Sequence, residues 1–427
     1  MRIASNIIET IKAKADIVEV IGEYVHLTKK GQNFIGLCPF HNDSTPSLTV
    51  SSAKGIYKCF ACDASGDVIK FLQEYLNISF VEAVKMLAKK YGVEIPEDSY
   101  SSIGDEDQRK RESMFIINDY ASKYYAENLF ADTDEARKAL YYATNRWPQD
   151  FIRTFGIGYA SNSWDSFSLW ANGKGLDKDL MLELGLVKEK STNDDVYDTF
   201  RGRIMIPIRD KQHRIIAFTA RLLPDILAHD PNAPKYINSS TSLIYDKGNS
   251  LFGIDVAWNV ASKAGVMNLV EGAPDVMRLQ VIGASNTVAP LGSSWTEAQL
   301  SMLKRITDRL NIIPDSDIPK EGEHFGVGFT SAMRTGKLAL SLGFIVTIQE
   351  IPIGDWKNDP DSYLVSKDKL DELTRQDFVM WYASKVINLN GENIPQQAKA
   401  IHEVAELVKT IPDKVLQESY TDKLIRV

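Results

Sequence analysis

Apolar positions along this chain fall into stretches of distinct period, and each period names an element. Residues 47–50 and 55–58 are short alternating runs that read as two strands of a small ribbon. Residues 67–77 and 80–91 then place apolar side chains at helical spacing. From 96 to 111 Ser, Asp, Glu and Gly displace nearly all apolar residues, the composition of a flexible connection. The stretch 113–143, rich in Tyr and Ala, returns to a helical pattern and closes at a Trp147-Pro148 turn before a further short helix. Residues 200–210 and 215–223 are apolar runs separated by a turn, which predicts a hairpin.

In the second half, apolar strands at 266–270, 310–314 and 344–351 alternate with helical patterns at 295–306 and 328–342. Strands separated by crossover helices build a parallel sheet, and the functional crevice of such a sheet lies beyond the carboxyl ends of its strands. Residues 370–427 follow as a helical tail. A length of 427 residues exceeds one core of ordinary size, so the expected fold is multidomain, α/β and α+β.

Composition narrows the function. No run of about 18 apolar residues is available to span a bilayer, and the first ten residues lack the apolar stretch of a secretory leader, so a cytoplasmic protein with no membrane partner is expected. The net charge of −8 excludes a uniformly positive surface, although nucleic-acid binding needs only a local one. Three cysteines are too few for a disulfide framework, and all lie between residues 38 and 62.

Cys38-Pro-Phe-His41 and Cys59-Phe-Ala-Cys62 are two ligand pairs, each with two intervening residues, joined by seventeen residues. Two such knuckles close a tetrahedral shell of three thiolates and one imidazole around one structural Zn²⁺. The surrounding run from Lys29 to His41, with Thr45-Pro46-Ser47-Leu48 and Gly66-Asp67, resembles the CHC2 zinc ribbon of bacterial DnaG-type primases. In that family the ribbon helps to read single-stranded template. The resemblance therefore offers Lys30, Phe34, Lys58 and Phe60 as phosphate contacts and stacking faces, with core packing the alternative for both Phe residues.

Between 201 and 250, eight Lys and Arg face four Asp, a local basic excess in an acidic protein. Here Ile206-Pro207-Ile208-Arg209-Asp210, Thr219-Ala220-Arg221, Lys235 to Ser239 and Lys247 to Gly253 resemble, in order, blocks of the DnaG polymerase domain. That resemblance implies a ridge for template and nucleotide made by Arg201, Arg203, Arg221, Lys235, Asn238 and Lys247.

Acidic clusters sit at the carboxyl ends of all three expected strands: Glu271 with Asp275, Asp315 with Asp317, and the run Asp355 to Asp361. Carboxylates gathered in this way need a hard cation to offset their repulsion, which points to Mg²⁺ or Mn²⁺. The set resembles the Toprim fold, with Glu271 heading its first motif and Asp315 and Asp317 forming its second. Asp359 and Asp361 match the pair that primases carry downstream. The resemblance implies Glu271, Asp315 and Asp317 as catalytic residues, and Glu271, Asp315, Asp317, Asp359 and Asp361 as the magnesium site. Glu271 is either a metal ligand or a proton relay, and Asp275 either joins it or caps the next helix. Residues 318–325 stand as an insertion before Gly326, where the family places a glycine almost at once; a surface loop is the plainer account and substrate contact the other. Gly336-Lys337 fails the phosphate-loop pattern because Leu338 stands where a Ser or Thr is required.

The resemblance divides the chain into a zinc-binding domain (1–95), a flexible linker (96–111), a basic subdomain (112–262), a Toprim subdomain (263–369) and a helical subdomain (370–427). It implies a DNA-directed RNA polymerase that makes primers, with single-stranded DNA, ribonucleoside triphosphates and an RNA–DNA hybrid as its ligands. The helicase-binding domain of the family is expected to be lacking, so no stable helicase complex is expected. A Toprim topoisomerase or nuclease, and a zinc-stabilised single-strand binder without turnover, are the competing readings.

Overall fold

The computed structural model describes residues 5–41, 43, 45–76, 78, 80–93, 102–190, 195–354, 358–388 and 394–425. The chain forms two compact units, residues 1–110 and 111–427. Among the described residues no helix is long and apolar enough to cross a membrane.

In the first unit, two short helices, Ser5–Lys14 and Ile17–Gly22, precede an antiparallel sheet of five strands. Asp16 caps the second helix by accepting a hydrogen bond from the Val18 N–H. The strands Thr28–Lys30, Asn33–Gly36, Leu48–Ser51, Ile56–Cys59 and Ser65–Gly66 pair in chain order. Alternation buries Leu48, Val50, Tyr57 and Cys59 on one face, where Phe71 and Leu72 of the helix Val68–Leu76 and Val84 and Leu87 of the helix Phe80–Tyr91 complete a small core.

The segment read as a flexible linker divides: residues 96–101 lie outside the described residues, and 102–111 are the first turns of a helix, Ser102–Leu129. Propensity explains the difference. Asp, Glu, Gln, Lys and Arg lower hydropathy without lowering helix preference, so a polar stretch that abuts an apolar helix extends it.

The second unit holds two sheets. The expected hairpin is present as Arg203–Arg209 and Ile215–Leu222, flanked by Tyr236–Asn238 and Gly158–Ala160 in a four-stranded antiparallel sheet. The other sheet runs Leu251–Phe252, Thr287–Pro290, Met267–Leu269, Arg309–Ile312, Ile345–Gln349, Arg375–Asp377. Its four inner strands are parallel and both outer pairings antiparallel. Helices Ile254–Ala264, Glu297–Lys304 and Val327–Ser341 supply Ala257, Leu300, Phe329 and Ala339 to the core beside Leu269, Leu310 and Val346.

A row of amides crosses this core. Asn268 pairs in register with Thr287 and Asn311, and Asn311 with Thr347. Asn311 Nδ2 donates to Asn268 Oδ1 at 3.0 Å and to Gln349 Oε1 at 2.7 Å, and Asn268 Nδ2 donates to Thr287 Oγ1 at 3.3 Å. A slip of one residue would break every link, so the row fixes the level at which neighbouring strands end. The tail helices Phe378–Asn388, Ile394–Lys409 and Lys414–Ile425 join the same core through Phe378, Trp381, Val404, Leu407 and Tyr420.

Candidate functional site

The four expected zinc ligands converge. Their ligand atoms all lie within 4.8 Å of one another, with Cys38 Sγ 3.8 Å from Cys62 Sγ and Cys59 Sγ 3.9 Å from His41 Nδ1. Two thiolates about 2.3 Å from zinc at a tetrahedral angle stand roughly 3.8 Å apart, so the donor set and its spacing fit Zn²⁺. The Ala61 and Cys62 N–H groups point at Cys59 Sγ at 3.3 and 3.4 Å. Asp43 accepts from the Cys38 N–H at 2.8 Å and stands 3.6 Å from His41 Nε2, where it orients the imidazole. Burial raises the Cys38 thiol above its ordinary range, a cost that a bound cation removes.

The two ribbon phenylalanines part company. Phe34 is half-buried and packs on the ribbon core, whereas Phe60 is 72% exposed with Lys58 Nζ 5.6 Å from its ring centroid. Phe60 therefore presents the free aromatic face beside a cation, and Lys30 is exposed.

At the Toprim-like sheet the three acidic motifs meet at the carboxyl ends of adjacent parallel strands. Glu271 follows Met267–Leu269, and Asp315 and Asp317 follow Arg309–Ile312. The Asp315 N–H donates to Glu271 Oε1 at 3.4 Å. Ser316 and Asn358 exchange backbone hydrogen bonds at 2.7 and 3.3 Å, which ties the second motif to the loop carrying Asp359 and Asp361. Asp355 lies outside the described residues.

Gly326 caps the helix Val327–Ser341 despite the inserted loop. A side chain on Gly326 would collide with the Asp317 backbone, and one on Gly328 with that of Asp315. The Gly328 N–H donates to Asp317 Oδ2 at 3.0 Å. The loop 318–325 thus leaves from Asp317 and returns to it.

Asp275 takes the capping alternative, and Asp361 sits among guanidinium groups. Asp275 is buried, accepts from the Gly272 N–H at 3.0 Å as part of a capping box, and also accepts from the Asp361 N–H at 3.1 Å. Burial, and then the charges of Asp315, Asp359 and Asp361, push its carboxyl well above the usual range. Asp361 is buried in ion pairs with Arg146 and Arg278, and Arg278 also donates to the Asp361 and Arg146 carbonyls at 2.9 and 2.7 Å. The magnesium role expected of Asp361 therefore meets a carboxylate already compensated by two guanidinium groups. Among the described residues only the zinc tetrad gathers three or more ligating groups within 4.8 Å, so the carboxylates at the strand ends frame a wider space.

The expected basic ridge also divides. Arg203 is buried, donates to the Pro234 carbonyl at 2.9 Å, and has its pKa lowered to about 10 by burial; it braces the sheet. Arg201 donates to the Asp198 carbonyl at 2.8 Å and lies 3.9 Å from the Trp164 ring centroid. Asn238 Nδ2 donates to the Leu291 carbonyl at 2.9 Å, which anchors the antiparallel sheet to the end of the strand Thr287–Pro290. Arg221 is flanked by the Tyr142 and Tyr236 rings at 5.4 and 5.2 Å and donates to the Tyr236 hydroxyl at 2.7 Å. Lys235 and Lys247 are exposed. Arg146 and Arg278 escaped the sequence reading. Their one signal was Arg146 in the aromatic run Tyr141 to Trp147, and Arg278 lies on a helix where an Arg carries no spacing signal.

A family model for the CHC2 zinc finger matches residues 3–102, and one for the N-terminal domain of the DNA primase catalytic core matches 124–258. A third, for the DnaB-helicase binding domain of primase, matches 377–426. The DNA primase of Halalkalibacterium halodurans is 35% identical over 421 residues, covering 96% of this chain and 67% of that protein. The DNA primase of Staphylococcus aureus is 32% identical over 447 residues, covering 98% and 71%. The crystal structure of the Aquifex aeolicus primase, with its zinc binding and RNA polymerase domains, aligns at a TM-score of 0.59 and 30% identity, covering 97% of this chain and 94% of that one. The RNA polymerase domain of Mycobacterium tuberculosis primase DnaG aligns at 0.62 and 25%, covering 74% and 99%.

The match over 377–426 overturns the expectation that a helicase-binding domain is lacking. The segment carries no chemistry-bearing motif, and its first helix, Phe378–Asn388, is built into the core of the preceding sheet. An amphipathic pattern of that kind reads as the end of a catalytic domain.

Proposed function

Because this chain belongs to the bacterial DNA primases, which make short RNA primers on single-stranded DNA, we propose that Asp315, Asp317 and Asp359 hold its catalytic Mg²⁺ or Mn²⁺ beside Glu271. The observation that carries this is the convergence of Glu271, Asp315 and Asp317 at neighbouring strand ends, with Asp359 brought in by the Ser316–Asn358 bridge. Arg146 and Arg278 pair with Asp361 at one side of the cluster, and carboxylates gathered at neighbouring strand ends suit a cation that offsets their repulsion. When bound, the cation offsets the triphosphate charge and stabilises the entering and leaving oxygens. A wide carboxylate frame agrees with a metal that takes substrate phosphates as further ligands.

Glu271 accepts the Asp315 N–H, which fixes its carboxylate toward the same space. Asp361 anchors its loop through Arg146 and Arg278. Arg221, Lys235 and Lys247 take the phosphates of single-stranded template and ribonucleoside triphosphates, and the RNA–DNA hybrid leaves along the same side. Phe60 and Lys58 give the ribbon a stacking face and a cation for template. The segment 377–426 docks a DnaB-type helicase.

The test incubates the full chain with single-stranded DNA, ribonucleoside triphosphates and Mg²⁺. Template-dependent oligoribonucleotides are expected; cut DNA, or retention without synthesis, would overturn the reading. Pull-down of a hexameric DnaB-type helicase by the parent chain, weakened by substitutions on exposed faces of the helix Lys414–Ile425, is expected of the helicase assignment.

A further inference from the structure

A cleft of about 590 Å³ lies away from the catalytic carboxylates, within the second unit. Its walls are the end of the inserted loop, at His324 and Phe325, the helix Val327–Ser341, and two tail helices. A volume of this order suits a small organic ligand. Arg334, Lys337 and Lys399 line it, with Glu403 as the one carboxylate. Glu403 is already engaged, by Lys337 at 3.0 Å and by the Tyr382 hydroxyl. Arg334 and Lys399 are exposed and make no hydrogen bond or ion pair among the described residues. Glu403 also feels the Lys399 charge, yet three cations against one carboxylate leave the cleft net positive. Phe325, Met333 and Val386 add an apolar wall.

We propose that this cleft is a second, non-catalytic site for a phosphate-bearing nucleotide, with its phosphates on Arg334 and Lys399 and its base against Phe325. Its surroundings couple it to catalysis. Phe325 directly precedes Gly326, which lies against the Asp317 backbone, and Arg334 stands on the helix whose Gly328 N–H donates to Asp317 Oδ2. A ligand held between loop and helix biases the orientation of Asp317. This second half rests on Asp317 as a metal ligand; the site itself does not.

The test titrates ADP into the zinc-loaded full chain in chelator-free buffer depleted of Mg²⁺, where the carboxylate cluster repels phosphate, and reads binding by calorimetry. A single site is expected, with pyrophosphate binding several-fold more weakly because it lacks the base. Arg334→Ala with Lys399→Ala should lower ADP affinity at least tenfold, while zinc content and unfolding temperature stay at parent values. Both side chains are exposed, so the fold survives the change. ADP binding that is absent, or equal in parent and variant, would overturn the site. A short single-stranded DNA that binds the cleft in place of ADP would overturn its nucleotide assignment. In primer synthesis without ADP, the variant should stay within twofold of the parent; with ADP, the Mg²⁺ half-saturation should shift in the parent only. An equal shift in both would overturn the coupling and leave the catalytic assignment of Asp317 intact.

Discussion

The Arg146 guanidinium, itself partly exposed, and the buried Asp361 carboxylate form an ion pair that joins the turn before Trp147 to the last acidic loop of the parallel sheet. Burial works against the charged guanidinium, yet Asp361 and the neighbouring tyrosines hold its pKa above the usual value. Arg278 completes the arrangement by donating to the Arg146 carbonyl at 2.7 Å. Removing one partner of such a pair leaves a buried charge and costs about 3–5 kcal/mol, whereas replacing both with apolar residues is often neutral. Arg146→Met should therefore lower the unfolding free energy by less than that, because Arg278 still faces Asp361, and Arg146→Met with Asp361→Leu, which strands Arg278, should recover only part of it. Urea unfolding of the three proteins checks this; a double variant as unstable as the single one would mean that the pair matters for more than charge.

The basic residues separate into buried braces and exposed cations, and this predicts opposite responses. Arg203→Ala removes hydrogen bonds to carbonyls in a buried setting, so unfolding should be easier by about 1–3 kcal/mol. Lys235→Ala touches an exposed side chain; stability should hold, and the salt dependence of single-stranded DNA binding should flatten by about one charge. Binding isotherms at several salt concentrations that match the parent would remove Lys235 from the template surface.

In the zinc ribbon, Cys59 stands at the centre of a network: its sulfur faces His41 Nδ1, two backbone N–H groups and the Ser47 hydroxyl at 3.1 Å. Cys59→Ala leaves three ligands in a unit with a small core. Zinc should fall from one per chain to near zero by elemental analysis, and the first unit should unfold at lower temperature, with the second unit's transition unchanged. Undiminished zinc would reject the ligand set.

Much of this was legible because the signals are local. The zinc spacing spans a short stretch, and each acid proposed for the catalytic site lies just beyond an apolar strand, so one window contains both the element and its carboxylates. Gly326 was harder: its role is a contact with Asp317 across an insertion, and only the return of the loop shows it. Arg146 and Asp361 lie 215 positions apart and meet only in the fold. Arg203 reads as a surface cation by composition, and its burial follows from the Pro234 carbonyl reaching it across the sheet. The tail misled for the opposite reason: Phe378 and Trp381 are so well built into the sheet core that their segment looked like its ending.

Asp275 provides a pH-dependent test. Its carboxyl titrates well above the ordinary range in the folded protein, because of burial and the charges of Asp315, Asp359 and Asp361. The unfolded chain releases that proton near pH 4, so above this the folded state binds more protons than the unfolded state. Stability from this group is fully present below about pH 4 and is lost as pH rises through the folded pKa. In EDTA, unfolding temperature should fall with rising pH over this window more steeply in the parent than in Asp275→Asn. Adding Mg²⁺ should shrink the difference by stabilising the ionised cluster. Parallel curves for the two proteins in EDTA would show that Asp275 carries no proton that the unfolded chain lacks.

Asp317 is the most demanding position. Asp317 Oδ2 accepts the Gly328 N–H at 3.0 Å, and the Asp317 backbone leaves no room for a side chain on Gly326. An amide in its place keeps the size and can retain the Gly328 hydrogen bond through its oxygen, but it removes one negative charge where the metal is proposed. The chemical step should therefore suffer far more than folding. Asp317→Asn is expected to lower primer synthesis by about 10²-fold or more, with zinc content, unfolding temperature and single-stranded DNA binding near parent values. Gly328→Ala should also lower synthesis, for a steric reason, because a methyl group there drives into the Asp315 backbone. The two defects differ in their metal dependence: Asp317→Asn should raise the Mg²⁺ needed for half-activity, whereas Gly328→Ala should also lower the unfolding temperature. Parent-level synthesis by folded Asp317→Asn across a full Mg²⁺ titration would remove this residue from the catalytic site.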